Sequence, residues 1–150
     1  MSAVSQLADH TGFWLRMVSN AVSQDFARKV AGQGVTVAEW AFMRTLYDQD
    51  PMSPSALAGL MGMTKGAISK LADRLLVKGL IVRTETPQDR RAHRLSLTVE
   101  GKAKVPVLAA LADDNDAAYF GVLAKQDHDM LRSILRGLAE SRSLKVMPVD

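Results

Sequence analysis

At 150 residues with 47% hydrophobic content, the chain is long enough to bury one core without staples. It has no cysteine, which excludes disulfides, thiolate catalysis and thiol-based peroxide sensing. The formal charge is only +3. No basic segment followed by an apolar run opens the sequence, and no stretch approaches the ~18 apolar residues of a membrane span, so a cytoplasmic protein with no membrane partner is expected.

Residues 6–31 read as a long first helix. Leu7, Trp14, Val18 and Ala21 line one side, and Leu15, Val22, Phe26 and Val30 line another. Two apolar stripes imply more than one packing partner, a second subunit included. Gly32-Gln33-Gly34 stops this helix and lacks the third glycine and preceding strand of a phosphate-cradling loop. Thr36-Val37-Ala38-Glu39 is a capping-box pattern opening a second helix through Trp40, Met43 and Leu46-Tyr47, which ends at Asp48-Gln49-Asp50-Pro51. Ser53-Pro54 restarts the chain as N-cap and first helical residue of a short third helix, with Leu57, Leu60 and Met61 as its apolar side.

Gly62-Met63 turns directly into the most informative stretch. Ile68, Leu71, Ala72, Leu75 and Leu76 recur at helical spacing, while Gly66, Ser69, Lys70, Asp73 and Arg74 repeat on the opposite face. Thr64 is the expected N-cap and Gly79 the left-handed stop. Small residues permit close approach, and hydroxyls and cations suit phosphates and base edges, so the outer face fits a DNA major groove. Two short helices joined by a glycine-containing turn make a helix-turn-helix.

After Gly79 the period changes to two. Leu80–Glu85 and His93–Thr98 read as paired strands, with Thr86–Ala92 as a charged hairpin tip, which is a wing. Thr98 caps a further helix carrying Leu108, Leu111, Tyr119 and Val122. Pro106 predicts a kink or a late start there, and Asp113–Asp116 interrupts the apolar pattern. A last helix is expected from about Lys125 to Ser141, with Leu131, Ile134, Leu135 and Leu138 as its stripe. Charge is uneven along this order: Gly62–Lys104 holds ten bases against four acids, a net +6, and the remainder carries −3. A basic middle between acidic ends suits a polyanion partner.

Gly79-Leu80-Ile81, Pro87-Gln88-Asp89-Arg90-Arg91 and Leu95-Ser96-Leu97-Thr98 with Gly101 resemble the MarR family of winged helix-turn-helix transcriptional regulators. The family wing reads D-P-x-D-R-R, then L-T six residues later, then glycine; here Thr86 replaces the first aspartate. The resemblance implies a mainly α fold with a small β-hairpin wing, spanning 1–150 as one domain. It assigns 35–98 to the DNA-binding lobe, and 6–31 and 106–145 to dimerisation helices. It implies a homodimer on a pseudo-palindromic operator of double-stranded DNA, acting as a repressor, with no cofactor.

On this reading Thr64, Lys65, Gly66, Ser69, Lys70 and Arg74 contact DNA from the recognition helix, with Ser69 and Lys70 best placed for base edges. Ser55 is a phosphate candidate or simply a helix-start hydroxyl. The resemblance puts Arg91 in the minor groove with Asp89 orienting it, and Arg90 and Arg94 at phosphates. Asp73 is expected to hold Arg74 or a wing residue. The rival reading is a winged-helix interaction module that meets an acidic protein partner.

The resemblance also implies a small phenolic or aromatic effector. His10, Trp14, Arg16 and Met17 on the first helix, with Trp40, Met43 and Arg44 on the second, are candidates to line its cavity. The alternative is that these aromatics and methionines are core. His10, His93 and His128 sit in separate elements without ligand spacing, so neither a metal site nor an enzyme is expected.

Overall fold

The capping box at Thr36 and Glu39 sets the frame. Thr36 Oγ1 accepts from the Glu39 N–H at 3.1 Å, and Glu39 Oε1 accepts from the Thr36 N–H at 2.8 Å. The computed structural model describes residues 3–86 and 89–149. A 3₁₀ turn, Leu7–Asp9, precedes α1 (Thr11–Ala31). Helices α2 (Val37–Gln49), α3 (Pro54–Met61) and α4 (Lys65–Val77) follow, then the antiparallel hairpin β1 (Ile81–Thr86) and β2 (Asp89–Leu97), and finally α5 (Val99–Phe120) and α6 (Lys125–Ser141).

One apolar cluster joins these elements. Phe42, Met43 and Leu46 of α2, Leu57 and Met61 of α3, Ile68 and Leu75 of α4, and Ile81 and Leu95 of the hairpin are all fully buried or nearly so. Val30 from α1 and Val105 and Leu108 from α5 close it. Ser53 caps α3 by accepting from the Ala56 N–H, with Pro54 in the first turn where its missing donor costs nothing.

Several expectations are corrected. The first helix is broken at His10, whose extended backbone separates the 3₁₀ turn from α1. Leu60 points outward and Ala58 takes its place in the core, because only Leu57, Ala58 and Met61 face α2 and α4 in so short a helix. Pro106 delays nothing: α5 starts at Val99, since Thr98 Oγ1 accepts from Gly101 N–H and donates to Gly79 O. Lys102, whose carbonyl proline leaves without a donor, is exposed, as is Pro106. Asp113–Asp116 interrupts the apolar pattern but not the helix, and within it Asn115 turns inward to meet α1. The hairpin extends further than alternation indicated: Asp89–Ala92 are strand backbone, Thr86 pairs with Asp89, and a register shift follows Glu85. Asp89-Arg90-Arg91 are all charged, so no apolar alternation marks this outer part.

A third strand-like contact has no periodic signal at all. Met52 and Leu95 exchange both backbone hydrogen bonds (3.0 and 2.7 Å), tying the α2–α3 connection to β2. At the other end, Thr98 N–H donates to Leu80 O, and a Cβ on Gly101 would lie 2.1 Å from that same carbonyl. Glycine is required there by close approach, and it packs the start of α5 against the root of the hairpin.

Candidate nucleic-acid interface

Helix α4 is fixed at both ends. Thr64 Oγ1 accepts from the Ala67 N–H at 3.1 Å. At the other end Gly79 takes φ +72°, and the N–H groups of Gly79 and Leu80 bond Leu76 O and Leu75 O, a Schellman closure. Leu80 is then delivered into the core, which aims β1. Between these caps Ile68, Leu71, Ala72 and Leu75 are buried and the other side faces water.

That outer side is the one the sequence indicated. Thr64, Lys65, Gly66, Ser69, Lys70 and Arg74 are all exposed. Lys65, Lys70 and Arg74 have no carboxylate partner among the described residues. Asp73 reaches the hairpin instead, its Oδ1 3.7 Å from Arg83 of β1, as expected of a residue holding the wing. Arg94 is exposed on β2 and pairs across the hairpin with Thr84. Ser55 is exposed in the first turn of α3, while Ser53 does the capping. The backbone of Asp89, Arg90 and Arg91 belongs to β2, and their side chains lie outside the described residues.

Sequence reasoning missed the group that sets the angle of α4. Glu39 is fully buried, and Lys78, the C-cap residue of α4, donates to its Oε1 at 2.8 Å and to Gly34 O at 2.8 Å. Burial pushes the Glu39 carboxyl up, but hydrogen bonds from Lys78 and Thr36 outweigh it and hold the group below the ordinary carboxylate range. The capping pattern signalled Glu39; nothing local signalled Lys78, 39 residues on.

The residues suggested for an effector cavity are only partly brought together. A cavity of about 400 Å³ opens where α1, α2 and α5 meet, walled by Val22, Phe26, Trp40, Asn115 and Met147. A shallower depression of about 490 Å³ adjoins it along α2, with Trp40, Arg44, Leu60 and Met147 in its wall. Trp40 and Arg44 therefore line a groove. Met43 is fully buried core. His10, Trp14, Arg16 and Met17 are exposed near the start of α1 and wall neither depression. Trp14 is committed locally: its Nε1–H donates to Ala8 O at 2.9 Å and its ring meets Phe13 edge to face. It is the later part of α1 that faces α2, two to three turns beyond the positions chosen from sequence.

Asn115 is the polar hinge of this region. It accepts from Lys29 Nζ at 2.7 Å and donates to Val22 O at 3.1 Å, and Tyr119 hydrogen-bonds Asp25 one turn further on. These contacts fasten α5 to α1. Among the described residues no group of three or more His, Asp or Glu is placed to hold a metal ion. Among the described residues, too, no helix is long and apolar enough to cross a membrane.

Residues 35–93 match the MarR family. The transcriptional repressor MdtR of Bacillus subtilis is 28% identical over 141 residues, covering 94% of this chain and 91% of that protein. A crystal structure of a probable transcriptional regulator from Pseudomonas aeruginosa superposes with a TM-score of 0.77 at 30% identity, over 89% of this chain and 99% of that one. The fold also matches that of S. aureus MepR in a complex with DNA, with a TM-score of 0.78 at 22% identity and 88% and 98% coverage. The matched segment spans the second helix, capped α4 and most of the hairpin, and the chain belongs to the MarR family of winged helix-turn-helix transcriptional regulators.

Proposed function

We propose that two copies of this chain bind a pseudo-palindromic duplex as a cytoplasmic repressor, each placing α4 in a major groove and its hairpin against the adjacent minor groove. The observation that carries the reading is the outer face of α4, where small residues, hydroxyls and unpaired cations sit on a helix whose ends and inner face are fixed. Ser69 and Lys70 read base edges; Thr64, Lys65 and Arg74, with Ser55 and Arg94, meet phosphates. Arg91, oriented by Asp89, enters the minor groove beside Arg90.

The pairing rests on α1 and α6. No residue of α6 is buried within the single chain, yet Met130, Ile134, Leu135 and Leu138 form a continuous apolar stripe along it. On α1, Trp14, Leu15, Met17 and Val18 are about half exposed. Such stripes are unstable against water and are covered by a second copy. On this reading residues 6–31 and 106–145 serve dimerisation and 35–98 serves DNA. An aromatic effector fits the groove beside Trp40, and by favouring one spacing of the two α4 helices it lowers DNA affinity.

Selection of bound duplexes from random DNA tests this. It should yield inverted half-sites about 10 bp apart, centre to centre. No enriched sequence, with retention of acidic proteins instead, would establish the interaction module and overturn the proposal.

A further inference from the structure

After α6 the chain turns back on itself. Ser143 takes φ +53°, Leu144 N–H bonds Ala139 O, and the following residues return to the helix-turn-helix. There Met147 N–H donates to Met61 O at 3.1 Å, at the last residue of α3. Lys145 and Val146 press on Gly62, where a Cβ would lie 2.7 Å from Lys145 O and 2.9 Å from Val146 Cα. Gly62, at φ +65°, is the turn that feeds α4.

The Met147 side chain does something further. It is half-buried against the core and stands in the wall of both depressions along α2, as do Trp40 and Ala41. The two depressions run along α2 from Phe26 past Trp40 to Arg44 and share Trp40, Ala41 and Met147, of which Met147 is the flexible thioether from another segment. That segment is also the one bonded to the helix-turn-helix turn.

We infer that Lys145–Pro148 is a strap that competes with ligand for this groove, and that its displacement releases the turn ahead of α4. The inference rests on the reading of the protein as a ligand-responsive regulator and adds its internal competitor. A ligand long enough to fill both halves, apolar beside Phe26 and Trp40 and with an anionic end that competes with Asp48 for Arg44 (2.7 Å apart in the same wall), must move Met147. Because the strap and such a ligand exclude one another, whatever weakens the strap raises ligand affinity, and ligand weakens the strap by the same factor. Loss of the Met147–Met61 hydrogen bond then frees the carbonyl end of α3 and the packing on Gly62.

The test uses the full chain, with 1-anilinonaphthalene-8-sulfonate as the probe. Met147→Ala removes the side chain and keeps the N–H, whereas Met147→Pro removes both. Both variants should bind the probe several-fold tighter than wild type. Amide exchange across Met61–Thr64 should quicken in Met147→Pro and in wild type saturated with probe. Probe binding unchanged or weaker in one variant or both, or exchange at Met61–Thr64 that is unchanged or slower in Met147→Pro or with probe, would overturn the strap. These readouts need no DNA, so retention of the same preparations on duplex DNA at low salt separates failure of the strap from failure of the DNA-binding reading.

Discussion

Lys78 Nζ and Glu39 Oε1 lie 2.8 Å apart, joining the last residue of one helix cap to the first turn of another helix. Glu39 is fully buried and its second oxygen has no hydrogen-bond partner among the described residues, whereas the Lys78 side chain is about one-third exposed. The pair therefore stabilises less by attraction than by preventing a buried carboxylate from standing alone. It also fixes the exit angle of α4 relative to α2.

Lys78→Ala should destabilise the fold by about 2 kcal/mol at neutral pH, read by denaturant unfolding. The Glu39 carboxyl is held below its usual range in the folded chain, so its contribution is present above the unfolded pKa and is lost as pH falls through the folded value. The deficit of Lys78→Ala should accordingly narrow only as the pH drops below the ordinary glutamate value, about 4.3, towards the lower folded value at which Glu39 takes a proton. A deficit independent of pH would mean that the lost lysine mattered only for packing.

Gly101→Ala places a Cβ 2.1 Å from Leu80 O, in a contact between two backbone segments that no side-chain rotation relieves. A loss of about 2–3 kcal/mol is expected, as for overpacking in a core. Thermal unfolding of the variant measures it, and a melting temperature equal to wild type would show that α5 and the hairpin root can part freely.

Ile134→Asp with Leu138→Asp puts two charges on the exposed apolar stripe of α6, which has no cover within one chain. Sedimentation should show the pair of chains dissociating while helix content stays near wild type, and operator affinity should fall with it. An unchanged sedimentation coefficient would remove α6 from the dimer.

Arg91→Ala should lose at least ~1 kcal/mol of operator binding and flatten preference at flanking positions, while Lys70→Ala should relax base choice within each half-site. Mobility-shift titrations on selected and mutated duplexes distinguish the two effects. Wild-type affinity should also fall steeply with salt, since each phosphate contact releases counterions. A wing variant that titrates like wild type would assign recognition to α4 alone.

The sequence was most legible where structure is local. The caps at Thr36, Ser53, Thr64 and Thr98 and the left-handed Gly79 each act within a few residues, and α4 and α6 have the apolar stripes that their spacing announced. The groups that were missed all depend on distant partners. Met52 meets Leu95, Glu39 meets Lys78, Asn115 meets Lys29, and Met147 meets Met61, each across a span that no periodicity reports. The effector groove shows the same limit: aromatic and cationic residues were visible on the first two helices, but which turns of α1 face α2 is decided by packing. Leu60 and Ala58 exchange roles for that reason too.

The central claim is that the outer face of α4 lies in the major groove twice per site, a turn of DNA apart. The absence of cysteine makes it directly measurable, because Val77→Cys introduces a single thiol at an exposed position of α4 without removing a proposed DNA contact or the Asp73–Arg83 pair. Charged with an iron chelate and bound to the selected duplex, this variant should cut each strand in two clusters separated by about one helical turn and positioned as for cleavage from the major groove. One cluster, scattered cutting, or none despite a shifted complex would contradict the account.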